Sequence, residues 1–158
     1  MMFILTLGFV VSMASAAAKF EARTIDDKVQ IGYGVAVADV NGDGKPDILL
    51  ADKKQFVWFR NPTWEKFIIA ENLAPRDNVT LDAQVIDGKC ELAVATDFDP
   101  GDHVKPARIY DMIEPADPTQ KWEPVRLPAE PTVHRMRWMK LADGSIGLVV
   151  APLHYPPG

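Results

Sequence analysis

Apolar and polar positions along the 158-residue chain fall into short runs, not long helical stripes. Val35-Ala36-Val37-Ala38 and Ile48-Leu49-Leu50-Ala51 are apolar and bounded by turn residues, which is the pattern of buried strands. Gln55-Phe56-Val57-Trp58-Phe59-Arg60 reads as a third strand, and Asn61-Pro62 then breaks the chain. Trp64-Glu65-Lys66-Phe67-Ile68-Ile69 alternates with period two, as a half-exposed outer strand does. The pattern predicts strands over about 33–39, 47–52, 55–60 and 64–69.

A second set repeats the first. Val79 to Ile86 is strand-like, Asp87-Gly88-Lys89 is a turn, and Glu91-Leu92-Ala93-Val94-Ala95 matches Asp47-Ile48-Leu49-Leu50-Ala51. Ala107-Arg108-Ile109-Tyr110 takes the third-strand place, and Trp122-Glu123-Pro124-Val125-Arg126-Leu127 matches Trp64 to Ile69. A third set begins at Val133-His134-Arg135-Met136-Arg137-Trp138, turns at Asp143-Gly144-Ser145 and continues through Gly147 to Pro152. Asp43, Asp87 and Asp143 stand 44 and 56 residues apart. Repeats of roughly 40–50 residues, each with four short strands, mark the blades of a β-propeller. Strand counts alone also allow a two-sheet sandwich. The matched Trp-Glu strands and Asp-Gly turns favour an all-β fold of blades, about 31–70, 79–128 and an incomplete 133–158. About two and a half blades fall short of the roughly four to eight that close a propeller, so the reading is of an N-terminal piece of a longer one.

The turn between the first two strands has its own chemistry. In Asp39-Val40-Asn41-Gly42-Asp43-Gly44-Lys45-Pro46-Asp47, oxygen side chains stand at positions 1, 3, 5 and 9, and the Lys45 carbonyl can fill position 7. Such odd-position spacing lets a short loop wrap Ca²⁺, which takes six to eight oxygens. A polar Asn-Gly/Asp-Gly hairpin turn is the plainer alternative. Position 12 is Leu50, where an EF-hand needs a bidentate Glu, and the flanks read as strands, not helices. In the second set Ala83 and Val85 replace the first two ligands, so the calcium expectation rests on Asp39, Asn41, Asp43, Lys45 and Asp47 alone.

The stretch from Ile31-Gly32-Tyr33-Gly34 through the loop to Ala51-Asp52 resembles the FG-GAP/VCBS repeat of integrin-α-like β-propellers, with Tyr33-Gly34 in place of Phe-Gly. The resemblance implies a calcium loop between the first two strands of a blade. It also implies an extracellular recognition or binding module for carbohydrate or protein. Val133 to Trp138 and Leu153-His154 are similar to the propeller part of aldos-2-ulose dehydratases and polysaccharide lyases, where channel-facing histidines matter. That second resemblance implies a carbohydrate-active lyase or dehydratase as the alternative function.

Composition narrows the classes further. Apolar residues make up 47% and charged residues 25%, as in a folded globular chain. The net charge of −5 and the absence of a basic stripe argue against nucleic acid. Phe3 to Val11 followed by Ala14-Ser15-Ala16-Ala17-Ala18 reads as a signal peptide over 1–18, too short to span a membrane. Secretion follows as an expectation, with no membrane span left after cleavage. Cys90 is alone, so no disulfide forms within the chain, and it reads as a small, partly buried hydrophobe.

In four-stranded blades the loops joining strands two and three, and those between blades, open on the face opposite the calcium loop. That face gathers Arg76-Asp77-Asn78, the run Asp97-Phe98-Asp99-Pro100-Gly101-Asp102-His103, His134-Arg135 and His154. Polar residues also concentrate in loops simply because loops face water. As a site, His134, His154 and an Asp suit a divalent metal, whereas Arg76 and Arg135 suit sugar carboxylates or hydroxyls. His134 beside Arg135 suits proton abstraction next to a carbonyl. His134, Arg135 and His154 are therefore the candidate catalytic residues.

Overall fold

The computed structural model describes residues 18–102 and 104–154. The leader expected over 1–18 lies outside the described residues except for Ala18, as do His103 and residues 155–158. Ten strands form three antiparallel sheets, and the described residues contain no helix. The first sheet runs β1 (Gly34–Ala38), β2 (Asp47–Ala51), β3 (Gln55–Arg60), β4 (Glu65–Glu71). The second runs β5 (Asn78–Ile86), β6 (Lys89–Thr96), β7 (Arg108–Ile113), β8 (Val125–Leu127). The third pairs β9 (Val133–Lys140) with β10 (Ile146–Pro152). Strands neighbour one another in chain order, with Asp-Gly or Asn-Pro turns reversing the chain between β1 and β2, β3 and β4, β5 and β6, and β9 and β10.

The sheets lie face to face in succession, and the period-two alternation shows how. On β6, Leu92 and Val94 pack with Leu49, Phe56 and Trp58 of the first sheet. The residues between them, Ala93 and Ala95, face the third sheet with Val133 and Met136. The middle sheet is thus buried on both faces. A two-sheet sandwich would bury one face of each sheet and leave the other to water, so the blade arrangement holds. Alternate residues of the first sheet (Leu50, Val57 and Phe59) point the other way and are covered by Ile25 and Trp64. Cys90 sits fully inside the first cluster, and burial, then the nearby acids beginning with Glu114, push its thiol up to about 12.

One sequence expectation needs correction. Trp122 is not the counterpart of Trp64, and the fourth strand of the second sheet begins only at Val125. Trp64 stands in the β3–β4 turn at φ 59°. Trp122 instead joins the first sheet: its amide donates to the Ile69 carbonyl at 2.9 Å. The indole N–H groups of Trp58 and Trp122 both donate to the Pro118 carbonyl, at 3.3 and 3.1 Å. The 114–121 segment folds back over the outer part of the first sheet, and Pro124 has no N–H to extend the ladder.

β1 lies beside β5, and β5 beside β9, without joining into one ladder. Their approach is close: a Cβ on Gly34 would come within 3.2 Å of Thr80 Cα. Buried polar side chains bind the three strands where ladder bonds are absent. Asn78 Nδ2 donates to the Asp52 carbonyl at 2.9 Å. Asp82, 4% exposed, accepts Arg137 Nη1 at 2.6 Å on one oxygen and the Trp138 amide at 2.7 Å on the other. The Asp52 carboxylate accepts the amides of Gln30, Ile31 and Gly32 at 2.8–3.3 Å and so holds the turn that launches β1. Burial alone would raise the Asp52 pKa, but these amides and that of Lys53 together hold it below its ordinary 3.8.

Two outcomes follow for stability. Asp82→Ala orphans the Trp138 amide at a buried junction and releases Arg137, and we expect a loss of about 1–3 kcal/mol in urea unfolding. Asp52→Ala is expected to lose about 2–3 kcal/mol at neutral pH, the scale of hydrogen bonds to a charged group. A depressed folded pKa means that the Asp52 contribution is complete above the unfolded value near 3.8 and fades as pH falls through the lower folded value. The gap between wild type and Asp52→Ala should therefore narrow below pH 4, as melting curves at stepped pH will read.

Candidate functional site

The loop joining β1 to β2 is a tight turn folded on its own amides. Asp39 Oδ1 accepts the Asp43 amide at 3.1 Å and Oδ2 the Gly44 amide at 2.9 Å. Asn41 Oδ1 accepts the Asp43 amide at 3.3 Å. Gly42 and Gly44 take φ of 70° and 81°, conformations that side chains resist. Asp43 accepts the Lys45 amide at 2.9 Å and the Lys45 ammonium at 3.0 Å, and these contacts hold its carboxyl below the usual range. Asp47, wholly buried, ties the loop to the β3–β4 turn by accepting the Val40 amide at 3.0 Å and the Asn61 amide at 2.8 Å. Burial first, then the charges of Asp43 and Asp39, raise its pKa despite those bonds. The three carboxylates thus feel one another. Among the described residues no group of three or more His, Cys, Asp and Glu side chains is disposed to hold a metal ion.

The opposite ends of the inner strands build a different surface. Tyr33 precedes β1, Phe98 follows β6, and His134 lies near the start of β9. Their rings form a row: Tyr33 meets Phe98 edge-on at 6.3 Å, and Phe98 lies 5.9 Å from His134 at 32°. Beside this row runs a cleft of about 130 Å³ whose lining includes Tyr33, Val35, Thr80, Arg135, Met136 and Arg137. Three strands from three sheets supply those walls. Asp97 at φ 66° immediately precedes Phe98, and Thr132 at φ 48° stands two residues before His134. Left-handed backbone at a β-branched threonine costs about 1–3 kcal/mol and persists only where the surroundings impose it. Asp97 is held by Lys105 at 3.0 Å and Arg108 at 3.2 Å, and Thr132 accepts the Leu153 amide on its carbonyl at 2.8 Å.

The residues singled out from sequence divide between these surroundings. Arg135 lines the cleft, with Nη1 donating to the His134 carbonyl at 2.7 Å. Burial, then Arg135, lowers the His134 pKa below 6.5, so its imidazole is neutral at neutral pH. His154 lies at the same end of the third sheet, its amide 3.4 Å from Thr132 Oγ1. Arg76 is paired with Asp99, and Asp102 accepts the Val104 and Lys105 amides, so neither joins the cleft lining. Asp97 is buried between Lys105 and Arg108, and its Oδ1 has no hydrogen-bond partner. In the sequence alone Tyr33 reads as a variation on Phe-Gly, Phe98 stands only as one member of the Asp97–His103 run, and Arg137 is not singled out. Arg137 was within reach of such a reading, two places beyond Arg135 on a strand and hence on the same face.

Among the described residues no helix is long and apolar enough to cross a membrane. Comparison with curated proteins gives no match. Residues 31–52, which span the start of β1, the Asp39–Asp47 loop and β2, match the family model of the FG-GAP repeat. The chain therefore carries one stretch similar to the FG-GAP repeat, set in three successive antiparallel sheets of propeller-blade architecture.

Proposed function

We propose that this protein is a calcium-stabilised extracellular recognition module for carbohydrate or protein. One end of its blades takes the cation, and the other presents the ligand surface. The cleft carries the recognition reading: its walls come from three separate sheets and exist only once the blades are assembled. Extracellular placement draws support from the FG-GAP repeat, which occurs in extracellular proteins, and from the leader-like composition of residues 1–18.

The donor chemistry of the Asp39–Asp47 loop fits Ca²⁺. Asp39, Asn41, Asp43 and Asp47 offer hard oxygens, and the Lys45 carbonyl adds a fifth. A carboxylate oxygen that accepts one N–H keeps a further lone pair, so the amide bonds of Asp39 and Asp47 leave them able to serve as ligands. Asp43 is different, because the Lys45 ammonium occupies one of its oxygens. Lys45 pairs with Asp43, and a bound cation would take its place there. Bound Ca²⁺ would supply the positive charge that the buried Asp47 and its acidic neighbours lack.

Melting curves in Ca²⁺ and in chelator test the reading. Saturation at a hundredfold over Kd should add roughly 2.7 kcal/mol to wild type, and Asp43→Ala should lose that gain. Lys45→Gln keeps the carbonyl and removes the competing ammonium, so calorimetry should show tighter calcium binding than wild type. Equal melting of wild type with and without Ca²⁺ would sink the proposal.

A further inference from the structure

We propose that the cleft between the inner strands recognises an acidic sugar unit, a uronate within an oligosaccharide. Arg135 and Arg137 grip the carboxylate, and the row Tyr33, Phe98 and His134 flanks the ring. The inference rests on the recognition reading above and assigns its ligand class.

Charge is the first ground. Arg135 and Arg137 stand two residues apart on one face of β9, and both line the cleft. Two guanidinium groups side by side on one strand face repel, and only Arg137 has a carboxylate partner, Asp82. Arg135 makes no ion pair among the described residues, in a chain whose net charge is −5. Each guanidinium carries five N–H donors in a fixed fork. One donor of Arg137 is spent on Asp82 and one of Arg135 on the His134 carbonyl, which orients both groups and leaves the others for a ligand. A carboxylate matches that fork in a two-point contact.

The ring row separates a sugar from other carboxylates. Aromatic faces are electron-rich, and the weakly positive C–H groups of a pyranose pack against such faces. Tyr33 is 46% exposed, so its ring is open to a ligand. An acidic peptide docks most readily by pairing with a free strand edge. Here the inner edges are closed on one another, with Gly34 against Thr80 and the Trp138 amide on Asp82. The cleft is also smaller than the roughly 300–1,000 Å³ of pockets for drug-sized molecules. It fits one unit of a chain that continues across the surface. The strained residues Asp97 and Thr132 stand at the positions that aim two of the rings.

The experiment is calorimetry of the whole chain in Ca²⁺, with tetragalacturonate and its fully methyl-esterified form as probes. The acid form should bind at least about tenfold more tightly than the ester, the scale of a charge-assisted two-point contact. Arg135→Gln should lose roughly tenfold or more for the acid form, change the ester little, and melt like wild type because Arg135 is exposed. Equal binding of the two forms, or an unchanged Arg135→Gln, overturns the carboxylate assignment but not carbohydrate recognition. Binding of a poly-glutamate peptide in place of the saccharide, lost in the same variant, overturns the sugar class. Absence of binding by every probe overturns the inference too, while the calcium-dependent melting point reports separately on the calcium-stabilised module.

Discussion

Successive sheets that share no ladder must be held by their faces, and the rest of this structure depends on that contact. β6 meets the requirement by alternation, sending Leu92 and Val94 to one neighbour and Ala93 and Ala95 to the other. The smaller residues face the two-stranded sheet, and the larger ones meet the indole of Trp58 and the ring of Phe56. At the inner strands the faces converge until backbone approaches backbone, and there Gly34 is required by the space. Apolar contact is non-directional, so it does not by itself fix how one sheet is set against the next. The side chains of Asn78 and Asp82 do, because each makes hydrogen bonds of fixed direction across a buried junction between sheets.

The two ends of the inner strands differ in electrostatic character for the same reason. At the loop end, acids crowd together on a tight turn, and the structure satisfies them with amides and Lys45. Asp47 shows the tension most plainly, being a buried carboxyl whose neighbours are also acidic. At the other end most acids are already spoken for: Asp52 by amides, Asp97 by Lys105 and Arg108, Asp99 by Arg76. What remains uncompensated there is positive. Acids outnumber bases by 22 to 17 along the chain, yet the fold gathers acids on the rim and leaves a cationic cleft.

Much of this was legible in the residue order, because strand formation and turns are local. Period-two alternation, Asp-Gly turns and the Asn61-Pro62 break locate the strands to within a few residues. The repeat of that pattern, together with the FG-GAP stretch, specifies an all-β chain of blades. The acidic loop is equally local, since its ligating oxygens are spaced within nine residues.

Tertiary structure decided the rest. The same Trp-Glu dipeptide leads into β4 at Trp64 but becomes a graft onto the neighbouring sheet at Trp122, because an indole goes where a cavity and a carbonyl await it. Whether an acid acts as a clamp, an ion-pair partner or an orphan depends on the amides and cations that another sheet brings to it. Arg76 and Arg135 look alike in sequence, but one is neutralised by Asp99 and the other faces a cleft. Tyr33, Phe98 and Arg137 lie up to 104 residues apart in the chain and meet only where β1, β5 and β9 draw together. Spacing along a strand encodes which face a residue takes; packing between sheets determines what that face meets.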